Sequence, residues 1–258
     1  MRELILRWEV FPDVRRLSRH AAWHFVRGAA ESELRGESFN VALAGGRTPR
    51  TLYALLADGN EPFRGIIPWK RVHFFWSDER FVPHDHADSN FRMARETLLD
   101  RVPIPRSNIH PMPTSAPALE GAAREYERLL RRRLTRGGRG LPRLDLLILG
   151  MGADGHTASL FPGSAALEER KALVAPVRVE GLNSHRLSLT LPVLNNAARI
   201  VFLVAGRGKA AAAAAVLSAR STSRSLPARR VRPKKGELHW LLDEAAAGEL
   251  PRGALGGL

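Results

Sequence analysis

The sequence predicts an α/β protein whose mainly parallel sheet is covered by helices on both faces. Three observations lead there. Apolar runs of strand length alternate with amphipathic stretches of helix length over most of the chain. That alternation implies a parallel sheet, because each crossover between parallel strands needs a helix-sized connection. Four strand runs also end in glycines or polar clusters, and sheets of this kind bind ligands at the carboxyl ends of their strands.

The elements follow in order. "ELILRWEVF" reads as a strand and "PDVRRLSRHAAWHFVRGAAESEL" as an amphipathic helix. "FNVALAGG" is a buried strand ending in glycines, and "TPRTLYALLADG" opens a helix with Pro49 near its first turn. "RVHFFWSDER" reads as one strand, with Phe75 and Trp76 as packing residues, and "SNFRMARETLLDRV" as a helix. A short strand "NIHPMP" precedes the helix "PALEGAAREYERLLRRRL". After the strand "RLDLLILG" come a glycine-rich loop, "ALVAPVRV" and "HRLSLTLPVLNNA". "RIVFLVAG" and "KAAAAAAVLSA" form another strand–helix step, and "ELHWLLDEAAAGEL" closes the chain as a helix. Segments 136–142 and 219–236 look like linkers, yet the alternation continues across both, so one domain over 1–258 is expected.

The 258 residues include no cysteine, which excludes disulfides and thiolate chemistry. No apolar stretch approaches the roughly 20 residues that span a bilayer, and "MRELILRWEVFPD" is too charged for a signal peptide. A cytoplasmic enzyme or binding protein is expected. The net charge is +14, with 35 arginines and 5 lysines. Two basic clusters, 128–140 and 219–235, lack the aromatic platforms or reading helix of a nucleic-acid site, so both read as solvated surface. His84, Asp85 and His86 share a polar loop without a fourth ligand. His20 and His24 lack the glutamate of H-E-x-x-H and read as surface residues.

The polar chemistry gathers at four strand ends: Gly45-Gly46-Arg47-Thr48, Ser77-Asp78-Glu79-Arg80, the loop "GMGADGH" (150–156) and Gly206-Arg207-Gly208-Lys209. Glycine N–H groups, carboxylates, cations and one histidine suit a small anionic ligand. The loop formally matches G-x-G-x-x-G, but Pro162 follows too soon for the long helix of a dinucleotide fingerprint. "GGRTP" lacks the ending of a phosphate-binding P-loop, and no G-x-S-x-G elbow occurs. His156 is either a structural turn residue or a chemical group; the other three strand ends favour chemistry.

The stretches "VALAGGRTPRTLYALLA", "WKRVHFFWSDERFVPHDHADSNFRMARETLL", "LDLLILGMGADGHTASLFPG", "HRLSLTLPVLNNAARIVFLVAGRGKA" and "GELHWLLDEAA" cover nearly the whole chain. They resemble the glucosamine-6-phosphate isomerase/6-phosphogluconolactonase family, on its 6-phosphogluconolactonase side. The resemblance implies a three-layer, Rossmann-like α/β/α fold shared with glucosamine-6-phosphate deaminase and ribose-5-phosphate isomerase. It also implies hydrolysis of 6-phospho-D-glucono-1,5-lactone in the oxidative pentose phosphate pathway, without a required cofactor or metal. One departure is Ala44-Gly45-Gly46-Arg47-Thr48-Pro49, where the family usually has S-G-G-S-T-P.

On this reading His156 is the general base, since an unperturbed imidazole titrates near pH 6.5. Asp154, or the carboxylates Asp78 and Glu79, would set its tautomer. Arg80 and loop N–H groups such as that of Gly152 would face the carbonyl oxygen. By the resemblance, Arg186 and Lys209 clamp the phosphate with Gly45, Gly46 and Thr48, while Arg47 adds a cation or points outward. The structural alternative for Asp78–Arg80 is an internal ion pair. Three competing functions remain. A deaminase-type enzyme would carry F-N-E-P after its histidine, where this chain has Thr157-Ala158-Ser159-Leu160-Phe161-Pro162-Gly163. A sugar-phosphate sensor would begin with a DNA-reading domain rather than a strand, and a nucleic-acid module would draw on the net charge. Oligomeric state, monomer or dimer, is not legible.

Overall fold

The computed structural model describes residues 5–135, 140–179, 184–218, 226–233 and 235–250. Its strands are β1 (Ile5–Phe11), β2 (Phe39–Leu43), β3 (Val72–Trp76), β4 (Asp78–Arg80), β5 (Leu146–Leu149), β6 (Val174–Val179), β7 (Ser184–Leu189), β8 (Arg199–Val204) and β9 (Glu237–Asp243). The helices are α1 (Val14–Leu34), α2 (Arg47–Ala57), α3 (Phe63–Ile66), α4 (Asn90–Thr97), α5 (Leu119–Arg133), α6 (Ala165–Glu168), α7 (Leu191–Leu194), α8 (Ala210–Leu217) and α9 (Glu244–Ala247).

Six strands form a wholly parallel sheet in the order β1-β9-β8-β5-β2-β3. Every residue of β5 and β8 is buried, so helices and loops cover both faces, as the alternation of runs predicts. Chain direction through the sheet reverses between β2 and β5: β3 lies outside β2, whereas β8 and β9 extend the other way. Such a switch point leaves a crevice at the carboxyl ends of the two central strands. The loops after β2 and β5 flank it.

Three expectations are corrected. The run 71–80 is two strands, not one. At Ser77 the backbone N–H donates to Leu43 O of β2 (2.8 Å), while its carbonyl accepts from Leu189 N of β7 (2.8 Å). The chain thus leaves the parallel sheet and enters a second, antiparallel sheet of order β4-β7-β6. "NIHPMP" makes only one bridge, Phe74 to Ile109, because Pro111 and Pro113 cannot donate to a ladder. Glu237–Asp243 is not helical; it is the strand between β1 and β8, with Trp240 stacked on Phe202 at 3.8 Å between ring centroids. A strand buried on both faces has no polar alternation to betray it.

His24 is a further correction. It is not a surface residue: α1 turns it inward, where it is 8% exposed. Phe75 and Trp76 are fully buried, as packing residues should be. Residues 136–139 and 219–225, with position 234, belong to the linker-like and basic segments and lie outside the described residues. Within the described parts of those segments, Arg131 pairs with Glu127 and Arg230 with Glu168. No helix among the described residues is long and apolar enough to cross a membrane.

Candidate active site

A crevice of about 260 Å³ opens at the switch point and is lined from all four strand ends. After β2 come Gly45, Gly46, Arg47 and Thr48; after β3, Asp78 and Arg80; after β5, Gly150, Gly152, His156 and Ala158; after β8, Lys209. Arg186 of β7 and Asn90 at the start of α4 complete the wall. Of the residues given a catalytic or binding role in the sequence, Asp154 and Glu79 do not line it, and Asp154 holds His156.

The β5 loop is built to present an imidazole. The His156 carbonyl accepts from Gly152 N (2.8 Å), closing a tight turn. A Cβ on Gly152 would lie 2.1 Å from His156 Nδ1, so only glycine lets the ring fold back over the turn. Asp154 Oδ1 accepts from the His156 backbone N–H (3.1 Å) and faces Nδ1 at 2.6 Å. Partial burial works to raise the Asp154 carboxyl, but the His156 N–H and ring outweigh it and hold it below the usual carboxylate range. With Nδ1–H directed at Asp154, Nε2 keeps its lone pair free. The ring leans on Phe161 at 4.6 Å and its side chain stays 30% exposed. Ala158, the only described non-glycine residue with positive φ (48°), turns the chain back so that Ser159 is buried.

Ser159 ties this loop to the second sheet. Its hydroxyl donates to Asp78 Oδ2 (2.7 Å), and its backbone N–H donates to Ser188 Oγ (3.2 Å). Asp78 also accepts from Ser77 Oγ (3.2 Å), and its backbone carbonyl accepts from Asn90 Nδ2 (3.0 Å). Of the three carboxylates expected as candidates to set the His156 tautomer, Asp154 occupies that position and Asp78 and Glu79 do not. Glu79 is fully buried and accepts from the backbone N–H groups of Arg80, Asn90 and Phe91 at 2.7–2.8 Å. Burial pushes its carboxyl up to about 7 against those three bonds. Its work is to anchor the start of α4. The ion-pair alternative for Asp78–Arg80 also fails, because serine hydroxyls occupy the Asp78 carboxylate.

The cations are the less ordinary part. Arg80 and Arg186 are directly opposed in the β4–β7 register. The Nε of each is buried with no hydrogen-bond partner among the described residues. Arg80 spends one amino group on the Asp88 carbonyl (2.5 Å), and Arg186 lies over the Phe161 ring at 5.7 Å. Burial, and then the neighbouring Arg80, lower the Arg186 guanidinium below its ordinary value. Two facing guanidiniums with unused donors form a site that an anion would stabilise. Lys209 adds a third cation, half-buried on the short turn after Gly206. The N-terminus of α2 completes the set. Gly46, with φ 104°, caps it without a side-chain bond, leaving the Arg47 and Thr48 N–H groups directed outward. Arg47 is exposed at the rim.

Sequence reasoning missed Asn90 and the serine tether of Ser77, Ser159 and Ser188. Asn90 was visible only as part of "SN" after "SDER". The serines carry no local signal, because their partners are distant in the chain.

Fold and site together define an α/β protein with a cation-lined crevice and a carboxylate-oriented histidine at a sheet switch point. The family described as "Glucosamine-6-phosphate isomerases/6-phosphogluconolactonase" matches residues 12–240, and the chain belongs to it. A 6-phosphogluconolactonase of Synechocystis is 44% identical over 210 residues, covering 81% of this chain and 84% of that protein. The solved structure of 6-phosphogluconolactonase from Trypanosoma brucei is 30% identical and superposes with a TM-score of 0.83, covering 96% of this chain and 99% of that one. A monomeric glucosamine-6-phosphate deaminase shares the fold at a TM-score of 0.75 and 19% identity, covering 95% of this chain and all of that one.

Proposed function

We propose that this chain is a 6-phosphogluconolactonase, hydrolysing 6-phospho-D-glucono-1,5-lactone to 6-phospho-D-gluconate in the cytoplasm as part of the oxidative pentose phosphate pathway. The observation that carries the reading is an Asp154-oriented imidazole in the same crevice as an opposed pair of arginines whose buried Nε groups have no hydrogen-bond partner among the described residues. The substrate needs both: a phosphate dianion to be held and an activated ester carbonyl to be attacked by water. The family membership and the lactonase relatives support the same chemistry.

The steps follow from the residues. Arg186, Lys209 and the first N–H groups of α2 hold the phosphate, with Arg47 at the rim. His156 Nε2 takes a proton from water as its oxygen adds to C1. General-base help of this kind is worth about 10²–10⁴ in rate. Asp154 stabilises the resulting imidazolium. Arg80 faces the oxyanion that develops on the carbonyl oxygen; the Gly152 N–H, expected to share that role, is instead spent on the His156 carbonyl. The tetrahedral intermediate then breaks its bond from C1 to the ring oxygen. That oxygen receives the proton from Nε2 and becomes the C5 hydroxyl, while the new carboxylic acid releases its proton to solvent. Asp78 is a positioning residue that fixes the loop through Ser159.

The test is acid release from enzymatically generated lactone, corrected for spontaneous ring opening. Catalysed release is expected. Ammonia release from glucosamine 6-phosphate without lactone hydrolysis would overturn the reading in favour of a deaminase. Tight 6-phosphogluconate binding without turnover would make the protein a sensor.

A further inference from the structure

We propose that Glu9, His20 and His24 form a binding site for one divalent transition-metal ion of the zinc class, separate from the crevice. None of the three lines the crevice. His20 and His24 stand four residues apart on α1 and so share one face of the helix. Glu9 comes from β1, the edge strand of the parallel sheet. One ligand atom from each lies within 4.8 Å of the others, and His20 Nε2 is 3.4 Å from Glu9 Oε2.

The observation that points to an ion is His24. Its side chain is buried, and neither ring nitrogen has a hydrogen-bond partner among the described residues. An imidazole carries a donor and an acceptor, and burying both unused is costly. His239 packs against His24 at 4.4 Å between ring centroids. The Nε2 of His239 is fixed by Glu237 (3.0 Å), and its Nδ1 is likewise buried without a partner. The nearby cations Arg27 and Arg199 are compensated by Glu31 and Glu237.

Two imidazoles and one carboxylate with an open fourth position suit zinc, and the nitrogen ligands disfavour magnesium and calcium. A tetrahedral ion with bonds of about 2.0–2.1 Å needs ligand atoms ~3.3 Å apart. Glu9 and His20 are half-exposed, so rotation of their side chains closes the set and solvent reaches it. An ion there would tie α1 to the sheet edge, adding stability without touching the chemistry of the crevice.

The test uses the full chain, stripped with a chelator and titrated with Co²⁺ and Zn²⁺. Visible d–d absorption with one ion bound per chain is expected, persisting in His156→Asn, which removes the imidazole of the crevice. In His20→Ala and Glu9→Gln, both half-exposed positions, affinity should fall more than about tenfold. Zn²⁺ should raise the Tm of the parent and not of His20→Ala, while their metal-free Tm values stay alike. Absence of d–d absorption, unchanged affinity in His20→Ala, or binding lost in His156→Asn but kept in His20→Ala would each overturn the proposal.

Discussion

Replacing Arg186 with methionine should stabilise the fold and weaken substrate binding at once. Arg186 faces Arg80 across β4 and β7, and each keeps a buried Nε without a partner. Opposed side chains start about 5 Å apart at Cβ, which puts the guanidiniums on the order of 6 Å from each other. At an effective dielectric of about 20, two like charges at that distance repel by about 3 kcal/mol. Solvent reaching the crevice and the attraction of Arg186 to Asp78, Asp88 and Glu79 reduce this, and the contact over Phe161, worth ~0.5–1 kcal/mol, is lost. Methionine keeps the apolar stem on that ring. The expected gain is about 1–2 kcal/mol, which raises Tm by roughly 2–8 °C in a chain of this size. The same change removes a charge-assisted bond to phosphate worth about 1.5–3 kcal/mol, so KM should rise ~10–150-fold with a smaller effect on kcat. Differential scanning fluorimetry without ligand and lactone kinetics read the two effects separately. A lower Tm together with an unchanged KM would refute the argument, since the arginine would then be bracing the fold.

His156→Asn should lower kcat by about 10²–10⁴ with KM and Tm nearly unchanged, because a half-exposed base is removed and no core is touched; steady-state kinetics on the purified variant decide it. Gly152→Ala should lower kcat without changing secondary structure by circular dichroism, since its Cβ would displace the His156 ring from 2.1 Å away. A pH effect follows from His24, held at about 3 in the fold against an ordinary 6.5. Its neutral form is the folded one, so the linked stability is complete above pH 6.5 and is lost as pH falls toward 3. The loss runs at up to about 1.4 kcal/mol per pH unit, about 5 kcal/mol in all. Urea denaturation in chelator across that window should give a flatter pH dependence for His24→Phe than for the parent; parallel curves would contradict the burial argument.

Much of the candidate site was legible in the sequence because strand ends announce themselves locally. A run such as "VALA" followed by Gly45-Gly46, or "LLIL" followed by the turn that carries His156, places both residues at carboxyl ends of parallel strands. The sheet rule then sends both to one crevice. Other features gave no such cue. Glu79 and Asp78 are neighbours in sequence, yet one anchors α4 and the other a serine tether, because β4 turns them to opposite sides. The two histidines of α1 read as surface residues from spacing alone; only the packing of α1 against the sheet buries one of them beside β9.

The sequence by itself determined the parallel α/β architecture, the order of most elements and the residues at the four strand ends. Those depend on hydrophobic period and turn chemistry, which act over a few neighbouring residues. Tertiary structure alone decided that Glu237–Asp243 is a strand rather than a helix and that the chain changes sheets at Ser77. It alone set Arg80 opposite Arg186, each with a buried Nε left without a hydrogen-bond partner among the described residues. Each of these is a pairing between segments far apart in the chain, and no local pattern encodes the partner.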